Sequence, residues 1–146
     1  MATTTTATMR RTVSSFGPLQ IAITILVALT ALVHLFLGVN LTMAVMTAPA
    51  QAAGTVGATM EAILAVLFLC NFGGYLVLNT ALYLPVLRRF QRLTRALLIG
   101  FTALTFVAYF AIDQGAALTN HIGLFDKAIE AALIALLVID GRRASA

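Results

Sequence analysis

The chain has 146 residues, of which 61% are apolar and only 10% charged, and its mean hydropathy is +1.01. A soluble domain of this length carries about a quarter of its residues as charges, because it must cover its core with a wetted surface, so the composition excludes an ordinary soluble domain. The net charge of +4 does not indicate nucleic-acid binding, because the basic residues lie at the ends of apolar stretches, where membrane orientation already explains them.

The first 15 residues are polar, rich in threonine and without periodicity, which predicts a disordered cytoplasmic tail. The remainder, residues 16–143, is predicted to form a single membrane domain. A signal peptide is the competing interpretation, because Arg10-Arg11 precedes an apolar stretch and the small residues of Ala48-Pro49-Ala50-Gln51-Ala52 follow it. The apolar stretch is far longer than the 7 to 15 residues or so of a signal core, so a retained helix is favoured.

Four apolar stretches follow one another, and four spans of roughly 20 residues with short links would use nearly the whole chain. The first span begins after Pro18, at a position where a helix tolerates proline. The predicted fold is therefore all-α, a four-helix transmembrane bundle with both termini in the cytoplasm. The predicted spans are residues 19–46, 61–84, 96–112 and 122–139.

A run of arginines between the second and third spans sets the predicted orientation. Four of the nine basic residues lie between Arg88 and Arg95, and short polybasic connectors stay on the cytoplasmic side of a membrane. The other arginines fall on the same side, which leaves only Lys127 outside. The arginines expected to contact lipid headgroups are Arg88, Arg89, Arg92, Arg95, Arg142 and Arg143.

The fourth span is unusual because its apolar part, residues 131–139, would make only about 14 Å of helix against a hydrocarbon core of about 30 Å. To cross, the helix must begin near Asn120 and carry Asp126, Lys127 and Glu130 below the outer interface. Charges at that depth are expected to face protein and not lipid.

The polar residues of each span fall on one face, since residues three or four apart share a side of a helix. We expect the four faces to enclose a polar pocket open to the outer side, in which threonines and amides such as Thr30, Thr105 and Asn79 tie the helices together. The candidate ligand-binding residues are His34, Asn71, Tyr75, Tyr109, Asp113, Asp126, Lys127 and Glu130.

A second hypothesis is a redox or metal-binding protein. Histidines paired across a helical bundle hold haem b in membrane cytochromes, and His34 and His121 are the candidate ligands, with Asp113 or Glu130 orienting an imidazole. Hydrolytic and phosphoryl-transfer motifs are absent from the sequence, so an enzyme is not expected. The single cysteine, Cys70, excludes an internal disulfide.

The segment His34-Leu35-Phe36-Leu37-Gly38 resembles the first helix of small four-helix prokaryotic membrane proteins. Asp126-Lys127-Ala128, with the terminal arginine pair, resembles the last helix of archaeal proteins of this size, and the four-span layout is similar to DoxX-like proteins. The resemblance covers about a sixth of the chain and implies a four-helix fold, with no site residue carried over.

These observations favour a non-enzymatic accessory or binding module of the cell membrane. Its expected partners are the lipid bilayer and either a larger membrane complex or further copies of itself. A small transporter subunit working as an oligomer is the third hypothesis, although no internal repeat supports it.

Overall fold

The computed structural model describes residues 17–49, 54–112 and 118–144, and within them the chain is helical, with no strand. The predicted all-α fold with four helices is confirmed. The predicted N-terminal tail and Asp113 lie outside the described residues. The elements are α1 (Pro18–Thr47), α2 (Val56–Tyr83), a 3₁₀-helix (Pro85–Phe90), α3 (Gln91–Ile112) and α4 (His121–Arg143).

Local sequence signals account for where the helices begin and end. Pro18 occupies the first turn of α1, where its missing N–H has no intrahelical partner to lose. The α2 helix ends before Pro85, which cannot continue a helix without losing a hydrogen bond. Asn120 caps α4, because its side-chain oxygen accepts a hydrogen bond from the N–H of Gly123 at 3.1 Å. The predicted start of the last helix near Asn120 is therefore confirmed.

Three of the described helical stretches, α1, α2 and residues 85–112, are long and apolar enough to cross a membrane. The fourth helix is different. Its 23 residues would extend about 35 Å, which is long enough to span, but it also carries acidic and basic residues within the helix. Its crossing of a membrane stays a prediction.

The helices form a closed four-helix arrangement, in which α1 packs against α2 and α4, and α3 packs against the same two neighbours. The centre is apolar along much of its length. Large apolar side chains also cover the outside of the bundle, including Val77 (67% exposed) and Leu104 (66% exposed). A soluble monomer rarely exposes apolar patches of more than a few hundred Å², so this surface is typical of helices that face lipid. The core residues are Ile23, Val27, Ala31, Tyr75, Leu82, Leu98, Leu133 and Leu137.

Arg95 is predicted to contact lipid headgroups, but in the structure its side chain is paired with Asp140. The α3 helix begins at Gln91, earlier than predicted, so Arg95 lies in its second turn on the face toward α4. Its side chain is buried and donates hydrogen bonds to Oδ2 of Asp140 from Nε at 3.1 Å and Nη2 at 2.6 Å. A Cβ atom at Gly141 would lie 3.2 Å from Cδ of Arg95, so the glycine leaves the room that the arginine occupies.

Lys127 is the one basic residue predicted toward the outer side, on a face of the last helix that is turned to protein. It is only 6% exposed and lies inside the bundle, because it stands on the inward face of α4 between two acids. The predicted burial of Asp126, Lys127 and Glu130 against protein is confirmed.

Candidate functional site

Every helix contributes polar side chains to one cluster inside the bundle, which we call the buried network. Each member is exposed by 8% or less, and Glu130 is fully buried. The members are Thr30 and His34 of α1, Tyr75 of α2, Thr105 of α3, and Asp126, Lys127 and Glu130 of α4.

Glu130 is held from three sides. One carboxylate oxygen, Oε1, accepts hydrogen bonds from the hydroxyl of Thr105 at 2.9 Å and from that of Tyr75 at 3.1 Å. The other, Oε2, accepts from the ammonium of Lys127 at 2.5 Å. Tyr75 and Thr105 also lie within 3.0 Å of each other. The acid thus joins α2, α3 and α4 through one side chain.

Asp126 connects α4 to α1 in the same manner. Its Oδ1 accepts a hydrogen bond from the hydroxyl of Thr30 at 2.5 Å, and its Oδ2 lies 3.2 Å from Nζ of Lys127 and 4.0 Å from Nδ1 of His34. In each carboxylate, one oxygen is held by a hydroxyl and the other faces the lysine. Charge-assisted hydrogen bonds of this kind are stronger than neutral ones.

Lys127 therefore bridges the two acids, with its ammonium shared between Asp126 and Glu130. Its Nζ also lies 5.5 Å from the centre of the Tyr109 ring, within the range of a cation–π contact. Without this ammonium, two carboxylates would face each other in the interior of the bundle.

His34 lies beside the acidic pair. Its Nδ1 is 2.9 Å from the backbone oxygen of Thr30, and because a carbonyl oxygen only accepts, Nδ1 carries a proton in this arrangement. The ring packs against Phe68 and Tyr75, each with its ring centre 5.6 Å away. With Nδ1 protonated, Nε2 is the nitrogen at which the imidazole takes up a further proton.

The charges of the network do not cancel when His34 is neutral. Asp126 and Glu130 bring two negative charges and Lys127 one positive charge, which leaves a net charge of −1. A net charge away from water is costly, and buried groups neutralise when they can. One proton, on the imidazole or on a carboxylate, makes the network neutral.

The two ends of the bundle are closed differently around this network. On the side where α4 begins, the half-buried Tyr109 lies against Gly123, where a Cβ atom would come within 2.6 Å of the tyrosine ring. Toward the other end, the core side chains of Leu98, Leu133 and Leu137 follow. On the arginine side, ten residues, about 15 Å of helix, separate Glu130 from Asp140.

Five of the eight predicted ligand-binding residues meet in the network: His34, Tyr75, Asp126, Lys127 and Glu130. Tyr109 lies at its edge, and within the described residues no hydrogen bond of the network reaches the half-buried Asn71. The prediction that Thr30 and Thr105 tie the helices together is confirmed, because their hydroxyls donate to acids of α4. Their spacing, one turn from His34 and from Tyr109, was the signal for this role.

Side-chain atoms of His34, Asp126 and Glu130 lie within 4.8 Å of one another, and imidazole with two carboxylates is a donor set that suits Zn²⁺. The position between the carboxylates, however, is held by the ammonium of Lys127, whose charge repels a divalent cation. The donor set in this arrangement therefore fits the lysine better than a metal. His121, the other predicted ligand, is exposed, and a His34 and His121 metal or haem site stays a prediction.

Comparison of the chain with protein-family models, curated proteins and solved structures found no match. The resemblance of its first and last helices to small prokaryotic membrane proteins stays a prediction.

Proposed function

We propose that the protein is a non-enzymatic, multi-pass protein of the cell membrane that binds one proton reversibly in its buried network. The observation that carries the proposal is the charge imbalance of the network: two acids and one lysine in contact, beside a histidine. An ionisable residue inside a membrane bundle is a functional-site hypothesis by default, because its burial is costly. Four such residues in one cluster strengthen that hypothesis.

Membrane placement is supported by three long apolar helices and by the apolar exterior of the bundle. It is also supported by the exposed arginines, which gather where α2 and α4 end and α3 begins. Basic residues at one end of a bundle are typical of the cytoplasmic side. These arginines are Arg88, Arg89, Arg92, Arg142 and Arg143.

The side of proton access is proposed from the described residues on either side of the network. Toward the start of α4, the half-buried ring of Tyr109 lies beside Lys127 and Gly123, whereas Leu133 and Leu137 lie between Glu130 and Asp140. We therefore assign proton exchange to the outer side. Because the network joins all four helices, gain or loss of the proton changes the contacts among them, which an accessory subunit can pass to a partner in the membrane.

The proposal predicts how stability depends on pH. The groups that face the network are His34 from α1, Tyr75 from α2, Tyr109 from α3, and Asp126, Lys127 and Glu130 from α4. The proposal places one proton on the folded network. At neutral pH the unfolded chain leaves both acids charged and His34 largely neutral, so the folded state holds one proton more than the unfolded state. Stability must then fall as pH rises, by up to about 1.4 kcal/mol per pH unit.

The thermal midpoint of the protein in lipid nanodiscs, followed by circular dichroism across the neutral pH range, checks this dependence. Glu130→Gln leaves one negative charge on Asp126 and one positive charge on Lys127, so the network is neutral without a proton. The slope of the thermal midpoint against pH should therefore disappear. Glu61→Gln, which removes an exposed acid from α2, is the control and should keep the slope. A wild-type midpoint that does not change with pH, or that rises with pH, would contradict the proposal.

A further inference from the structure

A groove on the outside of the bundle, between the start of α1 and the end of α2, is separate from the buried network. Its volume is about 580 Å³, within the range of about 300 to 1,000 Å³ for small-molecule sites. The lining is mainly apolar, and its isoleucines and Leu84 are 43 to 52% exposed. The lining residues are Ile21, Thr24, Ile25, Asn79, Thr80, Tyr83 and Leu84.

One lining residue has an unmet polar group. The side-chain oxygen of Asn79 is buried and has no hydrogen-bond partner among the described residues. A buried polar atom without a partner is destabilising by about 1 to 3 kcal/mol. Because this oxygen is buried, it is not open to a ligand in the groove, and Asn79 marks the deep end of the lining on α2.

Positive charge lies directly beyond the groove. The 3₁₀-helix begins at Pro85, immediately after Leu84 of the lining, and rises about 2 Å per residue, so Arg88 starts only about 8 Å farther along. Arg88 and Arg89 are exposed. Arg95, by contrast, is neutralised by Asp140, so the charge available to a ligand comes from the connector and not from α3.

We propose that this groove binds one anionic glycerophospholipid of the bilayer, with an acyl chain between α1 and α2 and the phosphate at Arg88 and Arg89. The apolar lining ends at Leu84 and the exposed arginines follow it, so the order from apolar to cationic matches the order from acyl chain to phosphate in such a lipid. Arginine suits the phosphate because its planar fork makes paired hydrogen bonds. The inference rests on the proposed membrane placement but not on the proton.

Native mass spectrometry of the delipidated protein in detergent tests the site with two probes of identical chains, phosphatidylglycerol and phosphatidylcholine. We expect the first phosphatidylglycerol to bind at least tenfold more tightly than phosphatidylcholine. Arg88→Gln with Arg89→Gln should remove this preference, and Ile25→Trp, which fills the groove, should weaken binding of both lipids at the site. Arg142→Gln with Arg143→Gln removes the same charge from α4 and should leave the preference intact.

Equal binding of the two lipids by the wild type would overturn the inference, as would an equal loss of preference in both arginine pairs. An Ile25→Trp protein that binds phosphatidylglycerol as the wild type does would show that the lipid lies elsewhere and would also overturn it. These results differ from a failure of membrane placement, in which the wild type would remain dispersed without detergent and bind neither lipid. They also leave the pH dependence of stability untouched.

Discussion

At the scale of single residues, the network shows how costly charges are kept inside an apolar bundle. Each acid has one oxygen held by a hydroxyl and one held by Lys127. Removing one partner of a buried pair is destabilising because it leaves the other without compensation. The hydroxyls of Thr30, Tyr75 and Thr105 are thus as much part of the network as its charged groups.

Thr105→Val tests that role with little change in shape. The valine removes a hydrogen bond to the fully buried Glu130, so we expect a loss of about 1 to 3 kcal/mol in unfolding free energy. Thr94→Val is the matched control: Thr94 is 7% exposed against 8% for Thr105 on the same helix, but its hydroxyl donates to the backbone oxygen of Phe90. Equal midpoints for the two variants in thermal denaturation would contradict the assigned role of Thr105.

Much of this residue-level picture was accessible from the sequence, because polar residues three or four apart in an apolar helix mark its inward face. That reasoning selected His34, Tyr75, Asp126 and Glu130. It could not find the pairing of Arg95 with Asp140, because the start of α3 and the end of α4 meet only in the folded bundle. It also placed Lys127 on the protein-facing side of the last helix, because charges at that depth avoid lipid.

At the scale of helices, close approach depends on glycines at contact points. Gly123 of α4 lies under the ring of Tyr109 of α3, and Gly74 of α2 lies near the ring of Phe101, where a Cβ atom would come within 2.7 Å. Gly100 of α3 instead faces open space. Glycine in a helix is less favourable than alanine by about 1 kcal/mol, so the first two are explained by packing and Gly100 is not.

Gly123→Ala is expected to displace Tyr109 and lower the thermal midpoint, despite the gain in helix propensity. It should also increase hydrogen–deuterium exchange of the α4 amides around Lys127, because the ring that covers the network moves away. Gly100→Ala, with nothing within 4 Å of its added methyl group, should leave the midpoint unchanged or raise it. A Gly123→Ala protein with wild-type midpoint and exchange would show that Tyr109 is not a cover.

At the scale of the whole molecule, the question is whether α4 crosses the membrane with the other helices. Composition and apolar length identify three candidate spans readily, whereas α4 carries Asp126, Lys127 and Glu130 in its first half. α4 packs against both α1 and α3, so it lies alongside them in the bundle. A charged helix is compatible with a bilayer when its charges face the bundle and pair with one another.

Cysteine labelling tests this arrangement. In a Cys70→Ser background, His121→Cys and Arg143→Cys place thiols at the two ends of α4, and we expect a membrane-impermeant reagent to reach them from opposite faces of intact cells or vesicles. Glu61→Cys should label with His121→Cys, and Arg92→Cys with Arg143→Cys, because the helices alternate in direction. Labelling of both ends of α4 from one face would contradict a fourth span.

The proton in the buried network is the central claim, and infrared spectroscopy at neutral pH tests it most directly. Histidine labelled with ¹⁵N in the ring separates imidazolium bands from those of protonated carboxyl groups, and His121→Gln leaves His34 as the one labelled residue. In nanodiscs, we expect the His121→Gln protein to show either a His34 imidazolium or one protonated buried carboxyl group. With Glu130→Gln added, we expect neither. A neutral imidazole together with fully ionised carboxylates in the unsubstituted network would contradict the account.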